Sequence, residues 1–397
     1  MKNWETYLSR QHDEYLRPAL APEFAAGMVV VIPCYDEKEL LTTLENLHDC
    51  EHPETDTVVL VVINSSVRSP EEAVLQNRET YQQVQKFSRT FSTGRSFFTA
   101  VIFENLPRKH AGVGLARKIG MDMAVDYFRK TNNPEGILVS LDADCTVSPN
   151  YLKRIYETFV LSPKIGCTIH NFHHRAENDD PEIEKAVRQY EDYIRYVEGA
   201  LKFIGFPYYY HTIGSAFAVT ADAYVRVGGM GRQQGGEDFY FLQKIFAQEK
   251  VAALDDVFVY PMARFSERVP FGTGPALQKI IAEPGGEMNV YSMDAFMALK
   301  TFFDMKHLFF KQDESVIGKH LTQLHPSLQV FIAANDVVND ITDCNNNSAT
   351  PESFTKRFFH HFNAFRIIKF LNFAHPAYFQ PQPVSVSLHK YREYVGI

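Results

Sequence analysis

This 397-residue chain predicts an α/β fold built on a doubly wound sheet. Three observations support that prediction. Unbroken β-branched runs recur through the first half, stretches with helical spacing alternate with them, and the residues suited to chemistry fall where those runs end. Alternating strands and helices imply right-handed βαβ crossovers, and ligands of such sheets bind beyond the carboxyl ends of the strands.

The elements follow in order. Residues 1–27 form a polar, charged leader predicted to be helical up to the prolines between Pro18 and Pro22. Met28 to Ile32 is a strand of the kind buried on both faces, stopped by Pro33. A helix follows over 37–49, with Leu40, Leu41, Leu44 and Leu47 on one face. Thr57 to Ile63 is a second buried strand, Glu71 to Phe87 a helix and Phe97 to Phe103 a third strand. Gly112 to Phe128 opens with glycines and continues as a helix, and Gly136 to Leu141 is a fourth strand ending at Asp142. Beyond these lie a Tyr-rich amphipathic helix (Glu182 to Phe203), a short strand (Ser215 to Val219) and a helix over Phe239 to Ala247. From residue 285 the chain is Phe- and His-rich and reads as mainly helical. The expected organisation is a catalytic domain over 28–284, divided into halves at 145/146, with a helical extension over 285–397.

Composition excludes several classes. A net charge of −8 and a pI near 6.0 do not fit a nucleic-acid binder, which needs a basic face. The five cysteines are widely spaced without CxxC pairs, which suggests neither a disulfide framework nor a zinc site. They read as reduced thiols of a reducing compartment. No apolar stretch is long enough to span a bilayer, and the polar start is unlike a signal peptide. A cytoplasmic protein is expected, at most peripheral at the inner face of a membrane.

Four motifs carry chemistry. Asp142 and Asp144 flank Ala143 at the end of the fourth strand, and two carboxylates at that spacing suit Mg²⁺ or Mn²⁺ shared with substrate phosphates. Gly112, Gly114 and Arg117 open a helix whose N-terminus favours anions; the Arg at the third glycine position argues against a dinucleotide fingerprint. Gly235 and Gly236 precede Glu237 and Asp238, which either stabilise a helix start or supply a base for an acceptor hydroxyl. Arg264 and Arg268 stand four apart beside a glycine-rich turn, read either as neutralising a leaving diphosphate or as a solvated loop. His170, His173 and His174 are read as metal ligands or as exposed loop histidines. The Tyr208 to His211 loop is read as a sugar-stacking surface or as core.

In order and spacing these pieces resemble family 2 glycosyltransferases of GT-A fold over roughly residues 28–270. VVIPCYDE (30–37) is similar to the opening strand and loop, LDADC (141–145) to the metal motif, and Ala116-Arg117 with Gly120 to the family's A-R-N-x-G helix start. AFAVTADAYVRVGGM (216–230) and GGEDFYFLQK (235–244) resemble the acceptor-side strand, the glycine turn and the acidic motif. The resemblance implies a Rossmann-like mixed sheet flanked by helices and transfer of a hexose or N-acetylhexosamine from a nucleoside-diphosphate-sugar to a glycan or lipid-linked acceptor. Donor contacts are then expected at Pro33, Tyr35, Glu37, Asn64, Gly114, Arg117, Asp142, Arg264 and Arg268. Asp142 and Asp144 hold the cation, Asp238 is the general base of an inverting displacement, and Glu237 orients the acceptor. Family analogy points to polysaccharide or surface-glycan synthesis.

Two departures leave points open. Asn64-Ser65-Ser66 stands where the family has an acidic pair contacting the base, so the nucleotide is unassigned. GGED also resembles retaining GT-A families, which leaves stereochemistry open. A nucleotidyltransferase would need a glycine-rich basic loop after the first strand, and PCYDEKE has no glycine. A silent sugar-nucleotide-binding subunit would be expected to lack some of the acids, and all are present. Finally, Phe354 to Phe373 reads as one amphipathic helix that either packs in a core or lies on an anionic membrane.

Overall fold

The computed structural model describes residues 2–396 apart from 17–19, 21–24, 93–94, 110, 178–179, 266–271 and 284–285. The chain divides into two compact units: Met1–Ile183 with Thr212–Pro275, and Glu184–His211 with Ala276–Ile397.

In the first unit, α1 (Lys2–Leu8) and α2 (Asp13–Leu16) precede β1 (Ala26–Cys34), α3 (Leu40–His48), β2 (Asp56–Ser66), α4 (Glu71–Phe91) and β3 (Ser96–Leu106). Then come α5 (Val113–Lys130), β4 (Ile137–Ser140), β5 (Cys145–Val147), α6 (Tyr151–Leu161), β6 (Ile165–Phe172) and β7 (Arg175–Ala176). The helix α7 (Pro181–Phe203) leads into the second unit, and the chain returns with β8 (Phe217–Thr220), α8 (Ala221–Arg226), α9 (Glu237–Gln248) and β9 (Lys250–Ala263). Among the described residues these strands form one sheet in the order β3-β2-β1-β4-β8-β6-β9-β5, with β7 beside β9. β1, β2, β3 and β4 pair in parallel, whereas β8 is antiparallel to both β4 and β6. The sheet is therefore mixed, with a Rossmann-like 3-2-1-4 half.

The β-branched runs are explained by cover on both faces. Met28, Val30 and Ile32 pack with Leu44, Val84 and Ile155 of α3, α4 and α6. On the opposite face α5 lies close to the sheet: a Cβ on Gly120 would stand 2.3 Å from Val31 Cγ1. Each such valine or isoleucine contributes about 1.5–3 kcal/mol by leaving water. Pro33 does not stop β1, which continues to Cys34. The β4 ladder already ends at Val31 opposite Ser140, while β2 still pairs with Pro33 through Val62. Proline thus sits at the strand's final turn toward the loop, past the doubly flanked stretch.

The second unit is mostly helical. After α10 (Thr273–Ala282), which begins in the first unit, come β10 (Asn289–Val290), α11 (Met293–Asp304), α12 (Glu314–Leu321), α13 (Pro326–Ala334) and α14 (Val337–Asn346). Next are α15 (Pro351–His361), α16 (Ala364–Ala374), β11 (Gln382–Pro383) and α17 (Val384–Val395). The stretch 354–373 is accordingly two helices, not one: α15 ends at His361, and Asn363 caps α16 by accepting from the Arg366 N–H. Phe354, Phe358, Phe359 and Phe362 are buried, and the last three surround Phe302 and Phe303 with ring centroids 5.1–6.1 Å apart. These rings are core, which removes most of the apolar face that a membrane would receive. No described helix is long and apolar enough to cross a membrane.

Candidate active site

The loop after β1 turns sharply. Asp36 adopts the left-handed region (φ 48), and its N–H donates to Asn77 Oδ1 of α4 at 2.8 Å. That turn sends Glu37 inward, 3% exposed, where one carboxylate oxygen accepts from the Glu39 N–H and the other pairs with Arg264. Tyr35 beside it is half-buried. Arg264 follows the end of β9 and also reaches Asp144 Oδ2 at 3.4 Å. Burial would lower its pKa, but Glu37 and then Asp144 outweigh that and raise it.

Asp142-Ala143-Asp144 forms a tight turn, closed by Cys145 N–H donating to Asp142 O. Thr43 Oγ1 of α3 donates to Ala143 O at 2.9 Å, and Met262 N–H of β9 donates to Asp144 O at 3.3 Å. Both carboxylates stay partly exposed, at 36% and 24% of their side-chain surface. The turn is thus rigid in backbone and open in side chain.

Arg117 is the fifth residue of α5 and is 2% exposed. Its Nη2 donates to Asp142 Oδ1 at 2.6 Å, and its Nη1 pairs with Glu237. Burial opposes its charge, yet Asp142, Glu237 and Asp238 together hold its pKa above the ordinary arginine value. Glu237 and Asp238 open α9, whose N-cap Gly236 is left-handed (φ 73) and so suits glycine. Glu237 is buried. Asp238 is half-buried, and its Oδ1 accepts from the Phe239 N–H at 2.7 Å. Its pKa is raised to about 6, first by burial and next by Glu237, against the lowering effects of Arg117 and the Phe239 N–H. Desolvation and the neighbouring acid thus outweigh the lowering pull of the helix start on Asp238.

Gly214 was not among the sequence candidates, yet it is where these groups meet. A Cβ there would stand 2.9 Å from Asp238 Oδ2 and 3.0 Å from Arg117 Nη2. Its carbonyl accepts from Ser140 Oγ at 2.6 Å, which ties it to the end of β4. The available signal was a lone glycine directly before a short strand, a site of close backbone approach.

Other candidates take different roles. At Gly114 the position of a Cβ is 2.0 Å from the Gln233 carbonyl oxygen, so a glycine here lets α5 meet the loop before Glu237. The Asn64 amide donates to Gly112 O at 3.0 Å, fixing the end of β2 to the start of α5. Arg268 lies outside the described residues. The three histidines do not converge. His170 belongs to β6, fully buried, with Nε2 3.0 Å from Thr168 Oγ1, and His174 is buried beside Thr273 Oγ1 at 3.1 Å, while His173 is exposed. Neither buried ring is the exposed loop histidine expected.

Among the described residues no group of three or more His, Cys, Asp and Glu side chains is arranged to hold a metal. The Asp142–Asp144 pair nevertheless fits a hard cation that completes its shell with phosphate oxygens and water. Two partly exposed carboxylates stand there on a fixed turn, each paired with one arginine.

The family model described as Glycosyltransferase like family 2 matches residues 25–198. No curated protein shows significant sequence similarity to the chain. Solved structures similar to it include S. aureus TarS in complex with UDP-GlcNAc, at 12% identity and TM-score 0.41, covering 84% of this chain and 91% of that one. A mannosyltransferase from Pyrobaculum calidifontis with GDP-Man and Mn²⁺ gives 15% identity and TM-score 0.38, covering 100% and 91%. GalNAc-T7 with UDP, GalNAc and Mn²⁺ gives 15% and 0.38, covering 76% and 54%. The family match runs from just before the first strand into α7, so the part of the chain similar to family 2-like glycosyltransferases is the part that forms the first seven strands of the mixed sheet.

Proposed function

We propose that this protein is a glycosyltransferase that moves a sugar from a nucleoside-diphosphate-sugar to an acceptor hydroxyl with inversion. The observation that carries this reading is the convergence of Asp142, Glu237 and Asp238 on one buried arginine, Arg117, at the carboxyl end of the sheet. Asp238 is the general base. An acceptor hydroxyl needs its proton removed as it attacks, and a carboxylate of pKa about 6 is both ionised at neutral pH and basic enough to take it. Glu237, locked on Arg117, keeps that arginine in place and orients the acceptor side of the site.

On the donor side, Asp142 and Asp144 would hold Mg²⁺ or Mn²⁺, which supplies charge neutralisation to the departing diphosphate. Arg264 stands ready beside Asp144 to bind phosphate oxygens, and Pro33, Tyr35 and Glu37 frame the nucleotide. Asn64 and Gly114 support this side from below by fixing β2 and the 233–237 loop to α5. We assign the catalytic domain to 28–284 and the helical extension to 285–397. The five free, buried cysteines fit a reducing cytoplasmic setting, with a glycan or lipid-linked acceptor.

Turnover of UDP-, GDP- and dTDP-sugars, with and without Mn²⁺, tests the reading. The anomeric configuration of the product tests the mechanism, because retention would remove the base role and leave Asp238 as an acceptor-binding group.

A further inference from the structure

The acids that the reaction needs stand at the end of a long loop, residues 228–236, and that loop is fastened at four places. Near its start a Cβ on Gly229, which is itself left-handed (φ 70), would lie 2.0 Å from the hydroxyl of Tyr7. In its middle Arg232 Nη1 stands 2.9 Å from His12 Nε2. Gln234 donates through Nε2 to the carbonyls of Arg108 and Ala111, at 2.6 and 3.1 Å. The Gln233 carbonyl is packed on Gly114. Two of the four fasteners come from the β3–α5 connection and the start of α5, and two come from the first sixteen residues of the chain.

That N-terminal segment is anchored by buried polar contacts, not by apolar packing alone. Tyr7 OH donates to Asp122 Oδ1 at 2.6 Å, and Tyr224 OH donates to the same oxygen at 3.0 Å. Lys118 Nζ donates to Asp122 Oδ2 at 2.7 Å and lies 3.3 Å from the Tyr7 hydroxyl. Lys118, Asp122 and Tyr224 are 7%, 4% and 0% exposed. Trp4, 2% exposed, donates through Nε1 to Asp222 Oδ1 of α8 at 3.1 Å. The network therefore joins α1 to α5 at the residue next to Arg117, and to α8, which leads into the Gly228–Gly229 turn. A buried network in which each member is satisfied holds a single geometry, because losing any partner leaves a desolvated polar group.

We propose that the N-terminal segment Lys2–Leu16 is a positioning element for the Glu237–Asp238 pair, acting through Tyr7 beneath Gly229 and His12 on Arg232. Neither residue touches the reacting atoms in the proposed mechanism, on which the functional part of this inference rests. Tyr7 sets where the loop begins, His12 holds its middle, and the start of α5 with the connection before it fixes its end, so Arg117 and the two acids meet in one arrangement.

Amide hydrogen exchange of the full chain, compared with Tyr7→Ala, His12→Ala and a deletion of residues 2–16, tests this without reference to activity. Protection over 228–240 is expected to fall more than tenfold in Tyr7→Ala and in the deletion, and several-fold in His12→Ala, while α3 and α6 exchange as before. Tyr7→Phe keeps the ring beneath the turn and is expected to retain most of the protection. With UDP- and GDP-sugars as probes, donor affinity should stay within about threefold while turnover falls at least tenfold. A purely structural role would lower thermal stability and leave that split absent. Exchange over 228–240 unchanged in folded Tyr7→Ala and His12→Ala overturns the proposal. Should the deletion not fold, those two substitutions decide. Should the parent turn over no sugar nucleotide, the transfer reading fails and the exchange result still stands or falls alone.

Discussion

Arg117 Nη2 lies 2.6 Å from Asp142 Oδ1, so a carboxylate at the mouth of the sheet is held by a guanidinium that is itself almost wholly buried. The same guanidinium faces Glu237, 2% exposed. Removing it in Arg117→Ala leaves a buried carboxylate unpaired beside two other acids. The expected cost is about 3–5 kcal/mol, as for other broken buried pairs, measured by urea unfolding at neutral pH. Arg117→Lys should recover only part, because a lysine cannot serve both acids with a planar fork.

Asp238 gives a pH-dependent prediction whose sign follows from its raised pKa. The folded chain holds this proton up to about pH 6, against an ordinary value of 3.8. The associated stability is full below the ordinary value and is lost as pH rises through about 6. Asp238→Asn, which imitates the protonated form, should therefore be more stable than the parent at pH 8, by up to about 3 kcal/mol and less where solvent reaches the carboxylate. Near pH 4 the difference should vanish. Thermal unfolding of both proteins across that range checks it. In turnover the same substitution should cost roughly 10²–10⁴.

Asp144→Asn should weaken divalent-dependent donor binding by more than about tenfold. Calorimetry with UDP- and GDP-sugars, with and without Mn²⁺, reads this directly. Equal affinity for parent and variant in both conditions removes the metal assignment from Asp144.

Phe358 is 2% exposed, among Phe302, Phe303 and Phe362. Phe358→Ala should cost about 3–5 kcal/mol, as for a buried aromatic, in chemical unfolding. Flotation with anionic liposomes at low salt should recover no protein through this stretch; recovery that Phe358→Ala abolished in a folded protein would restore the membrane reading.

The legible part of the molecule was the part whose physics is local. A strand covered on both faces must be apolar throughout, so the central strands announced themselves as β-branched runs, and Asp142 stood out at the end of one. Partnerships across the chain were not legible. Arg117 and Glu237 are separated by 120 positions, and nothing in either local sequence names the other. At Gly114 the sequence does not distinguish close approach to a phosphate from close approach to another backbone, and the structure puts the Gln233 carbonyl 2.0 Å from where a Cβ would stand. The break between α15 and α16 was legible and was missed: Asn363 before an apolar run is a helix-start signal, overridden by the continuous alternation of phenylalanines with basic residues.

The N-terminal anchor has a practical corollary. Trp4 is the single tryptophan of the chain, and its indole is buried with its N–H on Asp222. Intrinsic emission excited at the indole band therefore originates from one residue, located in α1. A blue-shifted spectrum shielded from acrylamide reports α1 docked, and a red-shifted, quenchable one reports it released, while the remainder of the fold stays optically silent. The chain carries its own reporter for the step by which its first helix seats, readable in real time during refolding or sugar-nucleotide titration without a label.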